Sequence, residues 1–328
     1  MTPFLVSAIN ISIVFLFGCV GETVTEKSGH LNLGIPGIMC MGTLGGAFGV
    51  GLYMNGLADV SSAVWILLLL SAVFFAMLFA AFGGLIYAFL TVTLRCNQNI
   101  TGLAITTFGA GLTDYFMAVI DKTRFTPAST LIRKSLVDVF PSLENLGWFA
   151  DIFLSHGALV YIGIAVAVVI AVLLRKTRVG LNLRAVGENP ATADAAGINV
   201  NAYKYASILI GAAIAGLGGL FYVMDNTAGS WENSSTISAL GWLSIALVIF
   251  AVWKPDLAVF GSFIFGLLYV FGSYSSLFGI ITSLAGRELL QLLPYVVTII
   301  VLIVTSIVGK KETQPPAALG QNYFREER

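Results

Sequence analysis

The sequence predicts an all-α fold: a polytopic membrane helical bundle of about nine transmembrane helices with a broken, glycine-rich second segment. Three observations carry this expectation. Hydrophobic residues make up 57% of the 328 residues and charged residues only 10%, whereas a soluble domain carries roughly a quarter charged residues. The charges are also unevenly placed, leaving long stretches without any. Finally, no stretch shows the strict apolar–polar alternation of a membrane β-barrel. Residues 64–70 are apolar throughout, so helices, which satisfy their own backbone groups in lipid, are the remaining solution.

The uncharged stretches run 1–21, 31–58, 60–94, 96–113, 152–174, 205–224, 233–253, 257–286 and 289–309. A crossing of the hydrocarbon core takes about 20 apolar residues. Residues 1–20 read as a retained helix, because residues 1–18 lack a basic side chain and Phe17 is too bulky for a cleavage site before Cys19. Residues 31–53 hold seven glycines and Pro36, which predicts broken or re-entrant first turns. The run 257–286 is too long for one helix and is interrupted over 272–276. A span up to about Phe271 is expected, then a short interfacial segment before Arg287. Cys19, Cys40 and Cys96 have unrelated spacings and read as small hydrophobes.

Loop charge sets the orientation. Arg175, Lys176, Arg178, Arg184 and Lys204 lie between two spans, and Lys310, Lys311, Arg325 and Arg328 lie in the tail. Both segments are expected to be cytoplasmic, together with Arg95 and Lys254, which puts the N-terminus outside. The loop 121–156 opposes this with Lys122, Arg124, Arg133 and Lys134, offset by Asp121, Asp138, Glu144 and Asp151. The chain then divides into a transmembrane domain 1–309, including the cytoplasmic loop 175–204, and a cytoplasmic tail 310–328. A formal net charge of zero gives no basic footprint for a nucleic acid polymer. The segment 80–87 is echoed by 215–222. Helices of opposite direction would make this an inverted repeat, but small-residue clusters also recur wherever membrane helices pack closely.

Within the loop, Asn189 is a good N-cap, Pro190 suits a first helical position and Gly197 suits a stop. These signals predict a short cytoplasmic helix with small side chains on every face. It reads either as an ordinary capped loop helix or as an element seated in a partner's groove.

This segment resembles the coupling-helix region of the ABC importer permeases that serve ribose, branched-chain amino acids and nucleosides. Gly21-Glu22 and the stretch 28–37 resemble the sequence after the first core helix in the nucleoside branch, although Pro36 departs from it. The stretch 316–320, before a closing Arg325-Glu326-Glu327-Arg328, is similar to that branch's tail. Gly241-Trp242-Leu243 and Trp253-Lys254-Pro255 add to the likeness, which spans nearly the whole chain.

The resemblance implies an inner-membrane transport subunit that is not itself an enzyme. It would pair with a second, dissimilar permease, with ATP-binding subunits that hold ATP and magnesium, and with an extracytoplasmic substrate-binding lipoprotein. Glu188, Asn189, Pro190, Ala193, Asp194 and Gly197 would form the coupling region toward the ATPase. This chain has no G-x-x-x-x-G-K-[ST] loop of its own.

Polar residues at membrane depth are costly, which singles out Asn99, Thr101, Thr106 and Thr107 in one span and Asn32 in the glycine-rich run. With Phe108 and Trp242 they are the candidate translocation path for a neutral nucleoside, which needs hydrogen-bond partners and aromatic faces. Packing between helices explains each of them as well. Glu22 and Glu26 are expected at a membrane face. A permease for a sugar or another small polar solute is the nearest alternative. An ion-coupled transporter would need acidic residues within spans, where Asp114 is almost the only one. Two scattered histidines without a Ser/His/Asp arrangement argue against an intramembrane enzyme.

Overall fold

The computed structural model describes residues 2–137, 147–275, 283–308 and 314–324. Asp138, Glu144, Ser276, Lys310, Lys311, Arg325 and Arg328 lie outside them, and with them part of the charge balance read from the sequence. The described chain is helical throughout. In order it forms α1 (Thr2–Glu26), α2 (Ile35–Asn55), α3 (Trp65–Ala88, extended by a π turn Phe89–Thr93) and α4 (Gln98–Val119). Then come α5 (Phe125–Lys134), α6 (Trp148–Phe153), α7 (Ala158–Lys176), α8 (Arg178–Glu188) and α9 (Pro190–Ala195). The rest is α10 (Val200–Phe221, extended by a π turn Tyr222–Asn226), α11 (Ser235–Phe250), α12 (Pro255–Tyr274), α13 (Leu284–Gln291) and α14 (Leu293–Val308).

Six helices among the described residues are long and apolar enough to cross a membrane: α1, α2, α3, α7, α10 and α12. At 22 residues α4 has the length, but its amides and hydroxyls lower its hydropathy. The apolar helices α11 and α14 have 16 residues each, about 24 Å of helix against a core of about 30 Å. The glycine-rich run departs from expectation in one respect. From Ile35, with Pro36 in its first turn, α2 is one unbroken helix, and the irregular chain lies before it, over 27–34. In the last third, α12 runs to Tyr274, and residues 276–282 lie outside the described segments.

Contacts fix the helix directions. Phe15 packs on Phe265 and Tyr269, and Gly18 lies against Ser244. Gly21 lies against Gly211 and Ala215, Gly218 lies near Val14 and Phe17, and Gly45 and Gly49 face Phe75 and Ser71. Gly34 and Gly37 face Ile105, and Gly109 faces Gly37. Accordingly α2, α4, α10 and α12 run one way, and α1, α3 and α11 run the other. One end of the bundle carries α8 and α9; the opposite end carries α5 and α6.

The centre is built from α1, α2 and α10, whose apolar windows are 67%, 83% and 83% buried. The outer helices α3, α7 and α12 bury 44% or less and turn residues such as Leu70, Phe74, Val169 and Phe260 outward. Apolar side chains on an exposed face are what lipid requires.

The two echoed segments meet. Gly84 on α3 lies against Ala212, and Gly216 on α10 lies against Ala80, so the copies pack antiparallel through their small residues. Helices in lipid associate by such close approach. A close case is Gly42 on α2, where a Cβ would fall onto the backbone of Gly216. A Cβ at Gly51, on the same helix, would meet nothing within 4 Å. Gly42→Val is therefore expected to destabilise the detergent-solubilised protein by about 2 kcal/mol or more, and Gly51→Val by no more than about 0.5 kcal/mol. Thermal unfolding of both variants checks this, and equal losses would contradict the packing.

Candidate functional site

The α9 end is organised around the irregular connector 27–34, which is buried yet makes no regular structure. The N–H groups of Lys27, Ser28 and Gly29 still bond back to α1, and the backbone beyond them takes partners from side chains. The Leu31 N–H donates to Gln98 Oε1 at 2.9 Å, and the Tyr87 hydroxyl donates to Leu31 O at 2.7 Å. The Asn32 N–H donates to Glu22 Oε1 at 2.8 Å, and Gly34 N–H donates to Asn32 Oδ1 at 2.9 Å. The Thr106 hydroxyl donates to Leu33 O at 2.8 Å. Beneath this cage the Trp253 indole N–H donates to Glu26 Oε2, anchoring the α11–α12 connector to α1. His30 is buried there too, and burial with the Lys204 ammonium nearby holds it well below the usual imidazole range.

Beside the connector stands the capped loop helix. Asn189 Oδ1 accepts from Thr192 N–H at 2.9 Å, Pro190 opens α9, and Gly197 at φ +84 ends it. The left-handed conformation at Gly197 favours glycine. The expected small faces divide, however. Ala193 is buried against Val186 and Val200 of this chain, with Tyr323 packed on them. Glu188, Asn189, Ala191, Thr192, Ala195, Ala196 and Gly197 are exposed, Pro190 is half-buried, and Asp194 accepts from the Tyr323 hydroxyl at 2.7 Å. A polar cleft of about 440 Å³ opens between the end of α9 and the start of α10, lined by Arg95, Asp194, Asn199 and Tyr323.

The polar residues of α4 also separate. Asn99, Thr107 and Phe108 lie on its exposed face, with Leu103 and Gly111. Thr101 is buried and donates to Asn97 O of its own first turn, and Thr106 turns inward to the connector. Asn32, which the sequence grouped with them as path lining, is fully buried inside the cage. Its side chain holds the connector's turn by accepting from Gly34 N–H. Trp242 is half-buried on α11. Asp114 caps α11 from a distance, accepting from Ser234 N–H at 2.9 Å and Ser234 Oγ at 2.6 Å.

Sequence reasoning missed three things here. Gln98 is buried and links the connector to the tail, donating to Gln321 O at 3.4 Å and Asn322 Oδ1 at 3.3 Å. It follows directly on the N-cap Asn97. Glu22 and Glu26 lie one helical turn apart and face inward, not toward a membrane surface. Trp253 was legible as part of a family signature, with no role attached.

Comparison with known proteins decides the family. Residues 4–302 match the family described as branched-chain amino acid transport system / permease component. The chain belongs to this permease family. It is thus a membrane-spanning permease subunit of an ABC importer, a transport component that works with a partner ATPase and a substrate-binding protein. The permease is 33% identical to the nucleoside ABC transporter permease protein NupC of Lactococcus lactis subsp. cremoris, covering 94% of this chain and 93% of that one. It is 28% identical to the putative glucose ABC transporter permease protein TsgC13 of Haloferax volcanii, covering 95% and 94%. It is 29% identical to the guanosine ABC transporter permease protein NupQ of Bacillus subtilis, covering 94% and 92%. No solved structure matches it. Among the described residues of this permease, no group of three or more His, Cys, Asp or Glu side chains is placed to hold a metal ion.

Proposed function

We propose that this permease carries nucleosides across the cytoplasmic membrane, crossing it nine times with the α9 end inside and the N-terminus outside. The nine crossings are the six long helices with α4, α11 and α14. Among the described residues, Lys27, Arg95, Arg175, Lys176, Arg178, Arg184, Lys204 and Lys254 lie at the α9 end. Lys122, Arg124, Arg133 and Lys134 lie at the other, where α13 adds Arg287. Two of those four are used as helix caps: Lys122 Nζ donates to Ile120 O at 3.2 Å, and Arg124 donates to Leu57 O at 2.9 Å. Cations at helix C-termini are held by those carbonyls, so this loop's charge has a structural use. The excess of Lys and Arg at the α9 end supports a cytoplasmic position for it.

In this reading the exposed edge of α9 docks on the ATP-binding subunit. The exposed face of α4 lines the passage against a second, dissimilar permease, and movement between inward and outward states follows rigid-body rearrangement. The observation that carries the path is that face itself: an amide, a hydroxyl and an aromatic ring, with its carboxylate, Asp114, already engaged by Ser234. Neutral donors, acceptors and a ring suit a nucleoside. Two of the three relatives are named for nucleosides or guanosine, which supports the same substrate class. A sugar is the second reading, favoured by the glucose-named relative. Uptake of labelled guanosine that is displaced by unlabelled nucleosides and not by glucose is the expected result; the reverse pattern selects the sugar.

Docking is tested on the exposed residues. Thr192→Arg and Ala195→Arg are expected to insert and fold normally while separating ATP hydrolysis from uptake. Unchanged hydrolysis and uptake in both variants would rule the docking edge out.

For the passage, Asn99→Leu and Thr107→Val are expected to assemble with the second permease and to lower uptake about tenfold, as loss of one hydrogen bond to a bound polar solute does. Failure to assemble, with no separate transport defect, would make these residues packing contacts.

Orientation is checked with single cysteines at Thr126 and Thr192 in a background without Cys19, Cys40 and Cys96. An impermeant maleimide should reach the first from outside and the second only from the cytoplasmic side. Labelling of both from one side would overturn the topology.

A further inference from the structure

The C-terminal segment 316–324 has no helix or strand of its own, yet it is pinned at both ends of its course. Ala318 N–H donates to Gly187 O at 3.0 Å, at the end of α8, and Gly320 N–H donates to Gly29 O at 3.1 Å, in the connector. Asn322 Nδ2 donates to Arg95 O at 2.7 Å, just before α4, and Gln98 on the first turn of α4 reaches both Gln321 O and Asn322 Oδ1. The Tyr323 hydroxyl donates to Asp194 on α9 at 2.7 Å, while its ring packs on Ala193 and Val200. The Arg95 guanidinium sits 4.8 Å over the Phe324 ring. Neighbouring residues of one short segment thus hold the docking helix on one side and the start of α4 on the other.

We infer that Gln98, Asn322 and Tyr323 are positioning residues. Through them the tail ties α9 to the first turn of α4, so that a displacement of α9 by the ATPase reaches the helix that bears the passage face. The inference rests on the docking reading given above. Its physical basis is that an irregular segment cannot keep its buried groups paired by itself. If α9 moves, the segment must either lose its bonds to Asp194 and Gly187 or carry Arg95 and Gln98 with it. The shorter route is through hydrogen-bonded and packed groups, the kind of contiguous contact by which coupling energy is transmitted. The sequence marked this tail only as a family likeness; nothing in its composition assigns it a partner on α4.

The test uses the assembled transporter, with its ATP-binding subunit and second permease, reconstituted in vesicles with guanosine and glucose as the two transported probes. The double variant Asn322→Ala/Tyr323→Phe is expected to co-purify the ATP-binding subunit in full amount. Its uptake per ATP hydrolysed should fall about fivefold or more, the range of measured coupling between sites. A role in stability alone would lower the amount of assembled transporter without changing the uptake per ATP hydrolysed.

An unchanged ratio in the double variant would overturn the tie. Loss of the ATP-binding subunit in parallel with uptake would also overturn it, by making the tail part of the dock. Should the double variant fail to reach the membrane, Tyr323→Phe, which removes a single oxygen, carries the same comparison. If Ala195→Arg likewise leaves hydrolysis and uptake coupled, the docking reading fails; if only the tail variants stay coupled, the tie alone is wrong.

Discussion

The structure of the α9 end depends on one constraint: an irregular stretch of backbone, residues 27–34, is buried where water cannot serve it. Non-helical chain at such depth is stable only if protein groups replace the missing hydrogen bonds. An unmet group would cost about 1–3 kcal/mol, and several adjoin here. Glu22, Asn32, Tyr87, Gln98 and Thr106 meet them from α1, the connector itself, α3 and α4. Four elements are thereby fixed relative to one another by polar bonds, in a bundle whose remaining contacts are mostly apolar and non-directional.

The same constraint determines where α8 and α9 can sit. Gly187 approaches the Lys27 backbone so closely that a Cβ there would collide with Lys27 O. The loop platform is therefore seated directly on the caged connector and not suspended from the ends of α7 and α10. Two neighbouring turns hold non-glycine residues at positive φ, Arg95 at 56 and Trp253 at 52. A residue in this region carries about 1–3 kcal/mol of strain. Both residues are pinned by a side-chain hydrogen bond, the carbonyl of Arg95 by Asn322 and the indole of Trp253 by Glu26. Strain and restraint coincide at the end that the proposed ATPase would push.

Much of the fold was legible in the sequence because its causes are local. Absence of charge marked the long helices, and capping chemistry marked the start and end of α9 from Asn189, Pro190 and Gly197 alone. What was not legible is which face of each helix turns inward. The hydroxyls of α4 looked like one cluster, but 100° per residue puts Thr107 and Thr101 about 120° apart, and only the position of α2 tells which of them is buried. The cage was invisible for a related reason. Its bonds join residues 67 apart in the case of Leu31 and Gln98, and 227 apart for Trp253 and Glu26. No periodicity or motif reports such pairs, so nothing in the sequence marks Asn32, Glu22 and Glu26 as braces for irregular backbone.

Those glutamates also bear on mechanism. Acidic side chains within spans are the usual mark of ion coupling, and the interior holds more of them than the sequence implied: Glu22, Glu26 and Asp225 are all buried. Glu22 and Glu26, however, each accept a hydrogen bond that holds a connector in place, and Asp114 holds the start of α11. The helix left with polar groups facing outward is α4, and its first turn is also where Gln98 joins the connector to the tail. One helix thus carries Asn99, Thr107 and Phe108 on its exposed face, with Asp114 tied to Ser234, and is gripped at the end nearest α9. In the proposed function, the face that would line the passage and the contacts that would move it belong to a single helix, α4.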